Sequence, residues 1–137
     1  MDGTRDRELT HRIIGCAFKV HNVLGAGFLE KVYENALVIE LRGCGLEVSQ
    51  QVPLKVMYGS EVIGEYFADL LVEGRILCEL KAVRRITTEH EVQLVNYLTA
   101  TGTDVGLLLN FGPSVEVRKK FLRYQPGTRG HTARLPH

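Results

Sequence analysis

The sequence has only three cysteines in 137 residues. Cys16, Cys44 and Cys78 are an odd number with no short spacing, which excludes a disulfide framework and a cysteine-based zinc site. Each sits in an apolar stretch, so all three are expected as buried, reduced thiols, with a reducing cytoplasm as the natural compartment. Charge of one sign is also missing: 17 basic residues face 16 acidic ones, for a net charge of +1. Any nucleic-acid binding must then come from where the charge lies, not from its sum. No apolar run is long enough to cross a bilayer, and the polar start from Met1 to Arg7 holds no signal core, so no membrane partner is expected. No histidine or cysteine pair has metal-clamp spacing; His11, His21 and His90 read as ordinary helix residues. Zinc-finger, helix-turn-helix and aromatic RNA-binding motifs are absent too.

What is present is an ordinary globular composition, 45% hydrophobic and 24% charged. It suits one domain with its own core, expected over residues 7–124. Residues 1–6 look loose. Leu9, Ile13, Ala17, Val20 and Leu24 recur at helical spacing, and Gly25 follows as a stop. A second helix is expected from near Gly27, with Leu29, Val32, Ala36 and Leu37 as its buried stripe and Gly43 and Gly45 at its end. The period then drops to two over Leu46, Val48, Val52, Leu54 and Val56, with Pro53 marking an edge or an irregularity. Strands are expected over about 62–72 and 75–83, separated by a turn at Glu73-Gly74. Thr88-Glu89-His90-Glu91 fits a capping box for a third helix, with Val92, Val95 and Leu98 inward. Val105 to Phe111 reads as a strand buried on both faces, and Val115 to Phe121 as a last strand. From Gln125 almost nothing is apolar, so residues 125–137 are expected to be disordered. The order is helix, helix, three-stranded meander, helix, strand, strand. That makes an α/β or α+β fold: a mixed sheet flanked by helices.

Three ionisable residues interrupt the apolar strands. Alternation points Glu79 and Lys81 to one face, about 7 Å apart, with Ile76, Cys78, Leu80 and Ala82 on the other. Burying either charge is costly unless it is paired or holds a metal. Asp69 interrupts the strand before. Whether it joins Glu79 depends on the turn. A two-residue turn at Glu73-Gly74 pairs 69 with 78 and puts Asp69 on the wrong face. A three-residue turn over Val72-Glu73-Gly74 pairs 69 with 77 and sets Asp69 diagonal to Glu79, within reach of a shared cation. On the second helix, Glu30, Tyr33 and Glu34 lie near one face; on the third, Gln93 and Tyr97 are four apart.

Gly27-x-x-Glu30-x-x-Tyr33 resembles the signature of the GxxExxY proteins, a family of the PD-(D/E)xK nuclease superfamily. The likeness covers about residues 9–122. It takes in the helix from Ile13 to Leu24, Ala68-Asp69-Leu70-Leu71-Val72, Glu79-Leu80-Lys81-Ala82 and Gln93-x-x-x-Tyr97. The resemblance implies a restriction-endonuclease-like core and metal-dependent phosphodiester hydrolysis, of DNA before RNA. It implies Asp69, Glu79, the Leu80 carbonyl and Glu30 as ligands of Mg²⁺ or Mn²⁺, with Glu34 competing with Glu30. Lys81 is implied to position or activate the attacking water, and Gln93 and Tyr97 to hold the site or the phosphate. Tyr33 reads as a packed aromatic with its hydroxyl bonded. Hard oxygen ligands suit those cations rather than zinc.

Arg84 and Arg85, just after the motif strand, are candidate phosphate contacts; Arg118, Lys119, Lys120 and Arg123 read as solvated surface. A homodimer or a separate protein partner is compatible with so short a chain. The competing function is a catalytically silent nucleic-acid-binding or protein-interaction module on the same fold.

Overall fold

The computed structural model describes residues 2–122, and the expected tail at 125–137 lies outside them. The elements run α1 (Asp2–Leu24), α2 (Glu30–Gly43), β1 (Val48–Tyr58), β2 (Glu61–Val72), β3 (Ile76–Lys81), α3 (Thr88–Thr101), β4 (Val105–Phe111) and β5 (Val115–Phe121). The strands form one mixed sheet in sequence order. β1, β2 and β3 make an antiparallel meander, β3 and β4 are parallel across the α3 crossover, and β5 returns antiparallel. This is the mixed sheet flanked by helices that the periodicities imply. Pro53 lies in the edge strand β1, where its missing N–H costs no ladder bond to a further strand.

Two cores sandwich the sheet. One packs α1 and α2 against residues such as Leu70, Ile76, Leu80 and Leu107. The other packs α3 against Leu54, Ala68, Leu77 and Leu108. β4 is buried along its whole length because it lies between both. Gly106 lets α3 come close: a Cβ there would stand 2.9 Å from the Leu94 side chain and 3.0 Å from that of Leu98. No helix among the described residues is long and apolar enough to cross a membrane.

Several local expectations need correction. α1 starts at Asp2 rather than after residue 6; Asp6 pairs with Arg75 at 2.7 Å and ties that first turn to the β2–β3 hairpin. α2 is rotated from the expected stripe. Its buried residues are Tyr33, Glu34, Leu37, Val38 and Leu41, while Leu29 is 78% exposed. The Tyr33 ring stacks on Phe111 at 4.8 Å and its hydroxyl donates to the Gly25 carbonyl, so the large aromatic sets the helix rotation and carries Glu34 inward. α3 is capped by Thr87, not Thr88: its hydroxyl accepts from His90 N–H, and His90 Nδ1 accepts from Thr87 N–H. The inward residues are Leu94, Tyr97, Leu98 and Ala100, and Val92 is exposed. Cys16 and Cys78 are buried, but Cys44 is exposed, with its sulfur 3.8 Å from that of Cys16.

Candidate active site

The turn between β2 and β3 follows neither anticipated register. Arg75 N–H donates to the Val72 carbonyl around Glu73 and Gly74, both at positive φ. One further residue, Arg75, precedes the first pair, Val72 with Ile76. Successive pairs run Leu71 with Leu77 and Leu70 with Cys78, so the next places Asp69 directly opposite Glu79. A one-residue difference in the turn thus decides which side chains meet.

The ladder stops at that point. Asp69 N–H donates to Glu79 Oε2 at 3.0 Å, and Leu80 N–H donates to Asp69 Oδ2 at 2.7 Å. Each carboxylate bonds the opposite backbone, and β2 and β3 part beyond it: β2 continues paired with β1, and β3 with β4. Asp69 is 9% exposed and Glu79 6%. Along a strand, a residue's N–H and C=O face the same edge. The Leu80 carbonyl therefore faces the same fork as its N–H.

Two acids buried side by side resist ionisation. Glu79 is pushed up to about 8, by burial first and by the Asp69 charge second. Asp69 is raised by burial, with the Leu80 N–H pulling the other way. Glu30, half-buried at the start of α2, is raised by burial and by the charge of Asp69, while Lys81 lowers it. Lys81 also favours the ionised forms of Asp69 and Glu79, so its charge is felt at all three carboxylates. Among the described residues it has no ion-pair partner. On α3, Tyr97 is raised by burial and then by the Glu79 charge, and its hydroxyl accepts a bond from Gln93 Nε2 at 3.2 Å.

Glu34 sits behind this group, only 2% exposed. It accepts from Lys31, Gln50 and Gln51 at 2.9–3.2 Å. Gln51 also donates to Asp69 Oδ1 at 3.3 Å, and so joins the two carboxylates. Its φ of 51° is in the left-handed region, costly for a residue with a side chain. Val48 and Leu54 have the same alternation parity, yet they pack into opposite cores. The β1–β2 ribbon turns over between them, at Gln51, and aims its amide at Asp69. Gln50 and Gln51 are the site residues that sequence reading misses; two polar residues in an edge strand look like solvated surface.

Arg84 and Arg85 are not grouped with the carboxylates. Both are exposed and line a cleft with Ser114, Glu116 and Arg118. The segment carrying them is anchored by fully buried Asn110, which bonds the N–H and carbonyl of Val83 and the Glu116 carboxylate; Glu116 also accepts from Ile86 N–H. Arg118 and Lys120 both pair with Glu91.

No three His, Cys, Asp or Glu side chains among the described residues already converge as a cation cage. The donors fit a hard cation nonetheless. Two facing carboxylates and a carbonyl at the fork offer hard oxygen donors, of the kind that Mg²⁺ would accept. Burial and then the Asp69 charge raise Glu79, and a divalent cation would favour its ionised form against both.

Comparison with known proteins agrees with this architecture. A family model described as the PD-(D/E)XK nuclease superfamily matches residues 7–123. The solved structure "Crystal structure of SSO0001" superposes with a TM-score of 0.57 at 20% identity, over 70% of this chain and 52% of that one. The chain thus spans about half of that protein, and at such identity the likeness shows the fold alone. Curated proteins give no match.

Proposed function

We propose that this chain, which belongs to the PD-(D/E)XK nuclease superfamily, hydrolyses phosphodiester bonds of nucleic acid, DNA in preference to RNA, with Mg²⁺ or Mn²⁺. The narrower kinship with the GxxExxY proteins rests on Gly27, Glu30 and Tyr33. The observation that carries the proposal is the reciprocal bonding of Asp69 and Glu79 at the fork, with Lys81 beside them. A strand pair that needed only stability would fill those positions with apolar side chains. A silent binding module has no use for carboxylates that repel phosphate.

In this reading Asp69, Glu79 and the Leu80 carbonyl hold the cation, and Glu30 completes the set from α2. A cation held there would neutralise charge on the phosphate and make a nearby water easier to deprotonate. Lys81 orients that water and stabilises the charge that grows on the phosphoryl oxygens. Gln51 and Glu34 hold Asp69 in position. Tyr97 and Gln93 close the α3 side, where the hydroxyl offers a donor to a phosphate oxygen. Arg84 and Arg85 contact phosphates further along the strand, which adds affinity rather than chemistry.

The test is a cleavage assay on single-stranded, double-stranded and branched DNA and RNA, with Mg²⁺, Mn²⁺ or EDTA. Cleavage that requires the cation and is lost in Lys81→Ala supports the reading. Binding without cleavage of any substrate, in either metal, would favour the silent module.

A further inference from the structure

A groove of about 770 Å³ lies between α3 and the outer half of the β1–β2 hairpin. Val56, Met57 and Tyr66 form one wall, and Val92, Tyr97 and Ala100 the other. Of its lining residues only Glu89 is charged; Thr88, Gln93, Asn96 and Thr99 supply neutral polar groups. The Tyr66 ring, 46% exposed, faces that of Tyr97 at 5.6 Å between centroids, tilted by 40°. Gly64 makes room for it, since a Cβ there would lie 3.1 Å from Tyr66 Cε2. The hairpin has parted from β3 at Asp69, so this wall stands clear of the rest of the sheet.

The groove borders the acidic site. Tyr97 lines it, Gln93 binds the Tyr97 hydroxyl at 3.2 Å, and the charges of Glu79 and Asp69 act on that hydroxyl although neither residue lines the groove. An aromatic trough without a basic residue in its lining does not match the outside of a duplex, which presents phosphates and keeps its base faces stacked inside. It does match an unpaired base, which offers a flat apolar face to a ring and a polar edge to hydroxyls and amides. We propose that this groove seats an unpaired nucleobase next to the scissile phosphodiester, so that the substrate is a strand unpaired at the cut. The inference rests on the nuclease reading and adds the substrate's form. Tyr66 is the stacking platform, Tyr97 links the base seat to the carboxylates, and the polar rim meets the base edge. The phosphates stay outside, towards Lys81 and away from Glu89.

The test uses the full chain in EDTA, where binding is read apart from cleavage. A fluorescent single-stranded oligodeoxynucleotide carrying one 5-iodouracil is titrated, then irradiated, and the cross-linked peptide is mapped. The single strand should bind at least about tenfold tighter than its duplex, with cross-links in 56–66 or 88–100, as stacking on an aromatic platform implies. Tyr66→Ala should weaken binding roughly five- to a hundredfold, the range of one base–aromatic stack. Tyr66→Phe, which keeps the ring, should bind like wild type and guards against a misfolded alanine variant; Gly64→Val, which crowds the ring, should weaken binding. Equal affinity for duplex, cross-links confined to the Arg84–Arg85 cleft, or a dimer that dissociates in Tyr66→Ala would each overturn the proposal. Cleavage of duplex by a protein that ignores single strands would refute this inference and leave the nuclease reading standing. Neither binding nor cleavage of any nucleic acid would refute both.

Discussion

Glu79 Oε2 accepts the backbone N–H of Asp69 at 3.0 Å, so a side chain stands where a β-ladder carbonyl would be. The pair both ends the β2–β3 ladder and holds two carboxylates against each other at the opening it creates. Folding and the proposed chemistry therefore compete at this point, and that competition is measurable.

Metal-free protein should lose stability as pH rises through neutrality. Glu79 keeps its proton in the folded chain up to about 8 but releases it near 4.5 when unfolded. Between those values the folded state binds more protons, so stability is fully present below 4.5 and falls as pH climbs through the window. Asp69 and Glu30 are raised as well and act in the same sense. Thermal melts in EDTA should show a falling midpoint across this range, and added Mg²⁺ should recover more at the alkaline end, where no proton competes for the site. A midpoint that stays level or rises there would show that the acids are not held together as described.

Glu30 and Glu34 should separate by phenotype. Glu30→Gln removes charge from the site but no hydrogen bond on which the fold depends. It should weaken cation binding and turnover with little change in melting. Glu34→Ala strips the acceptor from Lys31, Gln50 and Gln51, and should cost about 1–3 kcal/mol. Denaturant unfolding and metal titration of both variants decide it; the opposite pattern would make Glu34 the ligand.

Asn110→Ala should loosen the segment that carries Arg84 and Arg85. It leaves the Val83 N–H and carbonyl without their side-chain partner and should cost about 1–3 kcal/mol. Hydrogen exchange should accelerate at the amides of Val83 and Ile86, and unchanged protection there would count against the anchoring role.

Much of this was legible in the sequence because it depends on alternation and on charges out of place. Asp69, Glu79 and Lys81 stand out in strands that are otherwise apolar, and a mixed sheet follows from a meander plus a helical crossover. The register was not legible, because it turns on Arg75 being left out of the ladder, a matter of turn geometry rather than composition. The rotation of α2 was hidden for another reason. Leu29 and Val32 look like core residues until the long-range stack of Tyr33 on Phe111 is known. Nothing in the string marks Gln51, whose importance comes from a backbone conformation that its residue type does not favour.

Lys81→Ala should leave the fold and cation affinity largely intact while lowering turnover about a hundredfold or more, because its charge matters most as negative charge develops on the phosphate. Single-turnover kinetics beside a metal titration would distinguish this from a binding defect. A loss confined to substrate affinity would make Lys81 a docking residue.

Whether Asp69 and Glu79 form a cation-dependent hydrolytic centre is decided by comparing wild type with Asp69→Asn on the nucleic acid the wild type cuts best. The substitution keeps the shape, retains an oxygen to accept the Leu80 N–H, and removes one negative charge. Both proteins must be folded and purified free of contaminating nuclease. The expected result is Mg²⁺- or Mn²⁺-dependent cleavage by wild type, a fall of orders of magnitude in Asp69→Asn, and metal-free binding that holds or tightens as a phosphate-repelling charge is lost. Undiminished cation-dependent cleavage by well-folded Asp69→Asn protein would contradict the account.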